Sequence, residues 1–383
     1  NVEMDINMGD VKDAGIQAKF VYLNSCLTGS YQLPEYIAGY YPFSNNETIV
    51  ALANSVGVLQ DLWPTELMGT LQHGVSAGNW VKHIAYLETH LFGDPTFTFA
   101  TDKANNVNEH ISLASKDKGY WEQLLREGDA DLQALALVYL SRALPEGELS
   151  PLLKKTYFES ANETTRTQAF RLLKQFENAD YFAVLHAAKF DSYEFIRRSA
   201  TDAFNEFGGA DYVKDLIELY IADPHANRIA YRVNWNLAFV DPVVARKEIE
   251  AQIRNNKLID NSDKVADDLL RIVANNERRA ASMAAVIVDK KAEEKERLSE
   301  INTLRLYRFH VLVPTVIKEV LDHENSDLVR ITGLEALSWF PLSYQRQLIY
   351  DTCDSILNTK GTSADLRYQA LKTKNVMEGH NKK

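Results

Sequence analysis

The sequence predicts a multidomain chain: an α/β part over residues 1–101, a linker over 102–119 and an all-α helical repeat over 120–383. Three observations carry this. Charge is unevenly spread: the first 100 residues hold ten acidic and three basic side chains, a net of −7, and nine of the 17 glycines. The remaining 283 hold 43 acids and 39 bases, a net of −4. Buried strands and tight turns tolerate few charges, whereas an amphipathic helix exposes a charged face along its length. Next, short β-branched and aromatic runs alternate with helical patterns before residue 101. Finally, from Tyr120 onward the apolar spacing is helical, and a small residue returns at a regular interval.

The whole-chain composition narrows the function classes. A chain of 383 residues with 45% hydrophobic and 25% charged residues has the makings of folded domains, not of a disordered or collagenous protein. No apolar run reaches the roughly 18 residues of a membrane helix; AASMAAVIV at 280–288 is half that, so no transmembrane segment is expected. Two cysteines, Cys26 and Cys353, are too few for a disulfide framework or a four-cysteine zinc site. A net charge of −11 argues against nucleic acid as a general partner, because phosphate binding needs a basic face. The chain opens NVEMDINMGD, with neither an initiator Met nor a signal peptide.

In the first part, KFVYLNSC at 19–26 reads as a buried strand running into a polar loop, and TIVALANSVG at 48–57 as a second strand with a similar tip. Helical patterns occupy VKDAG at 11–15, PTELMGTLQ at 64–72 and NWVKHIAYLETH at 79–90. Strands alternating with helices imply a parallel sheet covered by helices, with ligand groups collected at the carboxyl ends of the strands. Cys26 stands at such an end. A thiol there is placed to act as a nucleophile beside backbone N–H groups, or else packs as a small hydrophobe.

The order FVYLNSC (20–26), LTGS (27–30), TIVALANSVG (48–57), HGVSAGNWVKHI (73–84) and LFGDPTFTF (91–99) resembles the carboxyl-terminal part of a gingipain-like cysteine peptidase domain, a member of the caspase-like group. The resemblance covers residues 9–100. It implies a cysteine-type endopeptidase acting on a protein or peptide substrate without cofactor or metal, with Cys26 as nucleophile and Asn54 and Ser55 lining the specificity pocket. It also implies an exported, bacterial protein. The family's catalytic histidine precedes the cysteine at the end of the preceding strand, in a His-Gly pair. Here 25 residues precede Cys26 and none is a histidine. The expectation is therefore a fragment or a degenerate domain, inactive on its own. Nothing acidic follows Ser55 before Asp61, so no preference for Arg or Lys can be read.

In the second part, Leu132, Leu135, Ala136, Tyr139 and Leu140 form one apolar face, and similar segments start at Glu163, Ser192 and His225. Ala136, Ala169 and Ala200 recur 33 and 31 residues apart, and Gly333 and Ala370 lie 37 apart with Arg330 and Arg367 aligned. Periods of this length with two helices each mark an α-solenoid. SDLVRITGLEALSWF and YEFIRRSATDAFNEF resemble HEAT repeats, so the expected role is a surface for a protein partner; a non-catalytic HEAT-repeat scaffold is the alternative function for the whole chain. The resemblance weakens between about 240 and 320, where KKAEEKERLSE at 290–300 reads as a solvated helix. An irregular helical bundle is the alternative fold.

Other motifs compete. GVSAG at 74–78 fits the serine-hydrolase elbow around Ser76, but no β-branched run precedes it. His83 and His90, seven apart on one predicted helix near Glu88, lack the spacing and third ligand of a metal site. His73-Gly74 follows the cysteine instead of preceding it. Cys353 falls on a helix face with Ile349, Ile356 and Leu357, where core packing accounts for it.

Overall fold

The computed structural model describes residues 6–58, 66–83, 88–102 and 106–379. The described chain is mostly helical with one small three-stranded sheet. Packing divides it into two compact units, Asn1–Leu149 with Ser160–Ala169, and Ser150–Glu159 with Phe170–Lys383.

The first unit begins with helix α1 (Met8–Asp13), opened by a capping box in which the Asn7 side chain accepts from Gly9 and Asp10 N–H groups. The sheet follows, in the order β1 (Phe20–Leu23), β2 (Val50–Asn54), β3 (Thr89–Gly93). β1 and β2 are parallel with Phe20 beside Val50, as the βα alternation predicts. β3 is a departure: it runs antiparallel to β2, with Asn54 beside Thr89 and Val50 beside Gly93. The helix expected over 79–90 is therefore only α2 (Ala77–Val81), capped by Ser76, and residues 89–90 are strand; residues 84–87 lie outside the described residues. The helix expected over 64–72 is a 3-10 segment, Met68–His73, with residues 64 and 65 outside the described ones.

Every residue of β2 is buried, as a central strand with both faces covered must be. One face packs Phe20 and Tyr22 against the buried Trp80 of α2, ring centroids 6.0 and 5.9 Å apart. The other face, with Ala51, Ala53 and Phe92, is covered by Ala38, Tyr36 and Tyr41 of the segment after β1. Gly93 has φ +101, and a side chain there would collide with the Ile49 carbonyl, so glycine is required where β3 leaves the sheet.

The expected linker 102–119 contains α3 (Val107–Leu113), anchored by buried Val107 and Ile111; residues 103–105 lie outside the described ones. The helical run continues as α4 (Lys118–Glu127), α5 (Ala130–Ala143), α6 (Glu146–Glu159) and α7 (Glu163–Leu173). Packing in the first unit extends past the composition break at 101. His73 pairs with Asp129, the N-cap of α5, at 2.7 Å, and His83 meets the Tyr139 hydroxyl at 3.0 Å.

The second unit continues with α8 (Ala179–Ala188), α9 (Glu194–Phe207), α10 (Ala210–Ala222), α11 (Asn227–Leu237), α12 (Pro242–Gln252), α13 (Ser262–Val288) and α14 (Glu294–Thr303). It ends with α15 (Val313–Leu321), α16 (Asp327–Leu337), α17 (Arg346–Asn358) and α18 (Ala364–Gly379). Helices pack on their next and next-but-one neighbours, α9 on α11, α10 on α12, α15 on α16 and α16 on α18, the arrangement of a helical repeat. The recurrent small residues Ala136, Ala169, Ala200 and Ala370 are fully buried, and a side chain on Gly333 would collide with Val320. Polar rungs tie each unit across one period: Thr165 donates to the Ala130 carbonyl at 3.2 Å, Asn236 to that of Thr201 at 2.6 Å, and Thr373 to that of Leu334 at 2.9 Å.

Arginines fill a second repeated role. Arg297 and Arg330 are buried and donate from Nε to the carbonyls of Ile287 and Val320, each ten residues earlier at the end of the preceding helix. A cation there satisfies orphan carbonyls and opposes the helix dipole. This corrects two expectations. KKAEEKERLSE is not simply a solvated helix, because Arg297 also bonds Glu319 and Asn325 inside the unit. Arg367 is exposed and does not repeat the Arg330 contact, although Ala370 repeats Gly333. The helical run also turns back on itself: His310 bonds the Asn205 carbonyl at 2.8 Å and Tyr344 N–H the Phe207 carbonyl at 2.9 Å. Gly208, at φ +65, ends α9 against the His310 ring, with no space for a Cβ.

Candidate active site

The carboxyl ends of β1 and β2 and the amino end of β3 meet at one edge of the sheet, which brings residues 24–30, 54–58 and 88–90 together. After β1 the chain reverses and runs back along the end of β2: Leu27 N–H donates to the Val56 carbonyl at 3.1 Å and Gly29 N–H to that of Asn54 at 2.8 Å. Gly29 allows this approach, because a Cβ would lie 2.8 Å from the Ala53 carbonyl carbon. Leu27 sits at φ +59, a left-handed conformation that costs a non-glycine residue on the order of 1 kcal/mol. The reversal leaves Cys26 exposed at its tip, with Val58 N–H donating to Sγ at 3.2 Å and the thiol directed to the Val58 carbonyl at 3.6 Å.

Asn54 works from beneath. It is 1% exposed, and its amide donates toward the Leu23 and Ser25 carbonyls at 3.5 and 3.4 Å while accepting from Thr89 Oγ1 at 2.6 Å. Its side chain braces the turn that carries Cys26 instead of facing solvent. Ser55 is partly exposed and lies 2.7 Å from His90 Nε2; its N–H donates to the Glu88 carbonyl at 2.9 Å. The Tyr31 ring meets the His90 ring edge-on at 4.8 Å.

The Ser55–His90 pair and the position of Glu88 beside Ser55 are not legible from spacing, because a helical reading of 79–90 sends these residues elsewhere. Alternation in THLFG, with Thr89 and Leu91 on one side and His90 and Phe92 on the other, is the one signal for β3. The loop register also decides whether His90 can serve Cys26. Cys26 is level with Val58 whereas Ser30 Oγ reaches the Ser55 carbonyl at 3.4 Å. Along this register the Cys26 thiol bonds Val58 and the His90 ring bonds Ser55, and no hydrogen bond joins Cys26 to His90 among the described residues.

The competing motifs resolve as structure. Ser76 caps α2, accepting from Asn79 N–H at 3.3 Å, and the segment leading into it, Met68–His73, is a 3-10 turn and not a strand. His83 lies in the turn after α2 whereas His90 is on β3, and burial lowers His83 to about 4 so that it stays neutral against Tyr139. Among the described residues no three His, Cys, Asp or Glu side chains are grouped to hold a metal. Cys353 is buried in the core with Ile349 and Ile356, and burial pushes its thiol up to about 12.

No family model matches the chain, and no curated protein matches it. Among solved structures it is similar to human deoxyhypusine hydroxylase in complex with glycerol, at 11% identity and a TM-score of 0.27, over 63% of this chain and 99% of that one. No family is thereby shown. The described residues contain no helix long and apolar enough to cross a membrane.

Proposed function

We propose that the sheet edge around Cys26 is the nucleophile-bearing side of a cysteine-type endopeptidase site of the gingipain-like kind, joined to a helical repeat that holds a protein partner. The observation that carries this is the exposed Cys26 thiol at the strand end, on a strained turn and fixed by the Val58 N–H. In the reaction the Cys26 sulfur attacks a peptide carbonyl and forms an acyl-enzyme, the C–N bond breaks, and a general acid protonates the leaving amine. Water then hydrolyses the thioester and frees the thiol. Ser55, partly exposed beside the nucleophile loop, borders the pocket, and Asn54 holds that border in place.

The reaction needs a general base, and the hydrogen-bond partners of Cys26 among the described residues are the N–H and carbonyl of Val58. β1 is an edge strand among the described residues, so a further strand pairing there would end beside Cys26 and could bring the base. The test is peptide cleavage by the product of the full reading frame, with Cys26 and with Cys26→Ala. Activity lost in the variant supports the reading; equal activity in both sinks it. A second reading, a non-catalytic platform for the helical repeat, is favoured because among the described residues no base is bonded to Cys26. It expects no cleavage by either protein.

A further inference from the structure

From a pocket on the helical unit, we infer that its α11–α13 face binds an extended acidic peptide segment of a partner protein, seating one aromatic or leucine side chain. The inference rests on the reading of the helical repeat as a protein-binding surface and gives that surface a place and a ligand chemistry. The pocket is a cavity of about 340 Å³ between α11, α13 and the segment leading to Phe309. Tyr231, Trp235 and Tyr307 form its walls, with Tyr231 63% and Trp235 39% exposed. Large aromatic surface left in water on a folded protein loses the hydrophobic stabilisation its burial would give, and Trp, Tyr and Arg are the residues that dominate protein-binding hot spots.

The polar groups at this pocket select the occupant. Arg279 lies over the Tyr307 ring, 5.3 Å from its centroid, and pairs with no carboxylate among the described residues. Nearby arginines of α12 and α13 differ: Arg271 pairs with Asp268 at 2.8 Å and Arg246 with Glu277 at 2.7 Å, whereas Arg278, next to Arg279, bonds the Asn275 amide oxygen. A guanidinium left with free donors at the mouth of an aromatic pocket, on a protein of net charge −11, calls for an anionic group. Asn234 and Asn276 add amide groups to the pocket lining. An aromatic anchor and a neighbouring carboxylate together describe an acidic peptide.

The test is selection from a positional-scanning library of random hexapeptides on the intact protein and on Arg279→Glu and Trp235→Ala, with circular dichroism melting confirming that each variant is folded. Enrichment of Asp or Glu next to Phe, Trp or Leu is expected on the wild type, weakened at least tenfold in both variants. Enrichment that persists in Arg279→Glu overturns the site while leaving the repeat as a protein-binding surface. Enrichment of basic peptides overturns the ligand chemistry, and no enrichment at all overturns both. Binding of adenosine monophosphate at this pocket, lost in the same variants and without any peptide enrichment, also overturns the peptide assignment.

Discussion

The chain's two cysteines stand in opposite environments, and the contrast separates the two parts of the molecule. Cys353 is one core side chain among Ile349, Ile356 and Leu366, its thiol pushed up to about 12 by burial. Cys26 is exposed on a turn whose backbone is strained at Leu27 and whose underside is braced by Asn54. In the helical unit, buried polar groups such as Arg297, Arg330 and Asn236 are consumed by the fold. At the sheet edge, buried polar groups hold up a thiol that the fold itself does not need. Strain and polar bracing around an unpacked side chain belong to sites more often than to cores.

The largest effect should come from the place where the helical run turns back. Gly208→Val forces a β-branched residue to φ +65 and drives a side chain into His310, so the helical unit should lose about 4 kcal/mol in urea unfolding. An unchanged midpoint would show that the turn-back contact does not contribute to stability. The same junction sets a pH dependence. Burial lowers His310 to about 4, against 6.5 in the unfolded chain. Between those values the unfolded state binds the extra proton, so stability is full above pH 6.5 and falls as pH drops toward 4. The loss is about 3 kcal/mol, and His310→Gln should flatten that part of the stability–pH curve.

At the sheet edge, Gly29→Ala pushes the Cys26 turn away from Ala53 and should cost about 2 kcal/mol, with faster iodoacetamide labelling of Cys26 as its loop loosens. Unchanged labelling would mean that the turn is not held by the Asn54 carbonyl. The smallest effect is expected for Ser55→Ala, which removes the 2.7 Å contact to His90 and should cost about 1 kcal/mol. If His90 were the base for Cys26, that change would also alter the pH dependence of Cys26 labelling; the register predicts that it does not.

Much of this contrast was legible in the residues themselves. The periodic small residues located the helix contacts, because a solenoid repeats one packing problem, and Ala136, Ala169 and Ala200 solve it alike. The strand ending at Asn54 was legible because an apolar run buried on both faces has few other destinations; FVYL before Cys26 was legible as a strand too, but it lies at the sheet edge among the described residues and is half-buried, not buried as expected. β3 was not, since His83 to His90 fits a helical period as well as a strand and only the pairing with β2 decides between them. The buried role of Arg297 was hidden for a similar reason: a charge run has the same composition whether it faces solvent or a helix end. The turn-back at Gly208 joins residues more than 100 positions apart, which no local pattern carries.

The central claim is that Cys26 is a peptidase nucleophile and not merely an exposed thiol. Its most direct test is treatment of the full reading frame's product with a peptidyl acyloxymethyl ketone, a weak electrophile that alkylates an activated, peptide-binding cysteine at its methylene carbon with loss of the carboxylate, with mass spectrometry of both cysteines. The account predicts modification of Cys26, none of buried Cys353, and loss of labelling in Cys26→Ala. Alkylation of Cys26 by iodoacetamide with no reaction toward the ketone would contradict it.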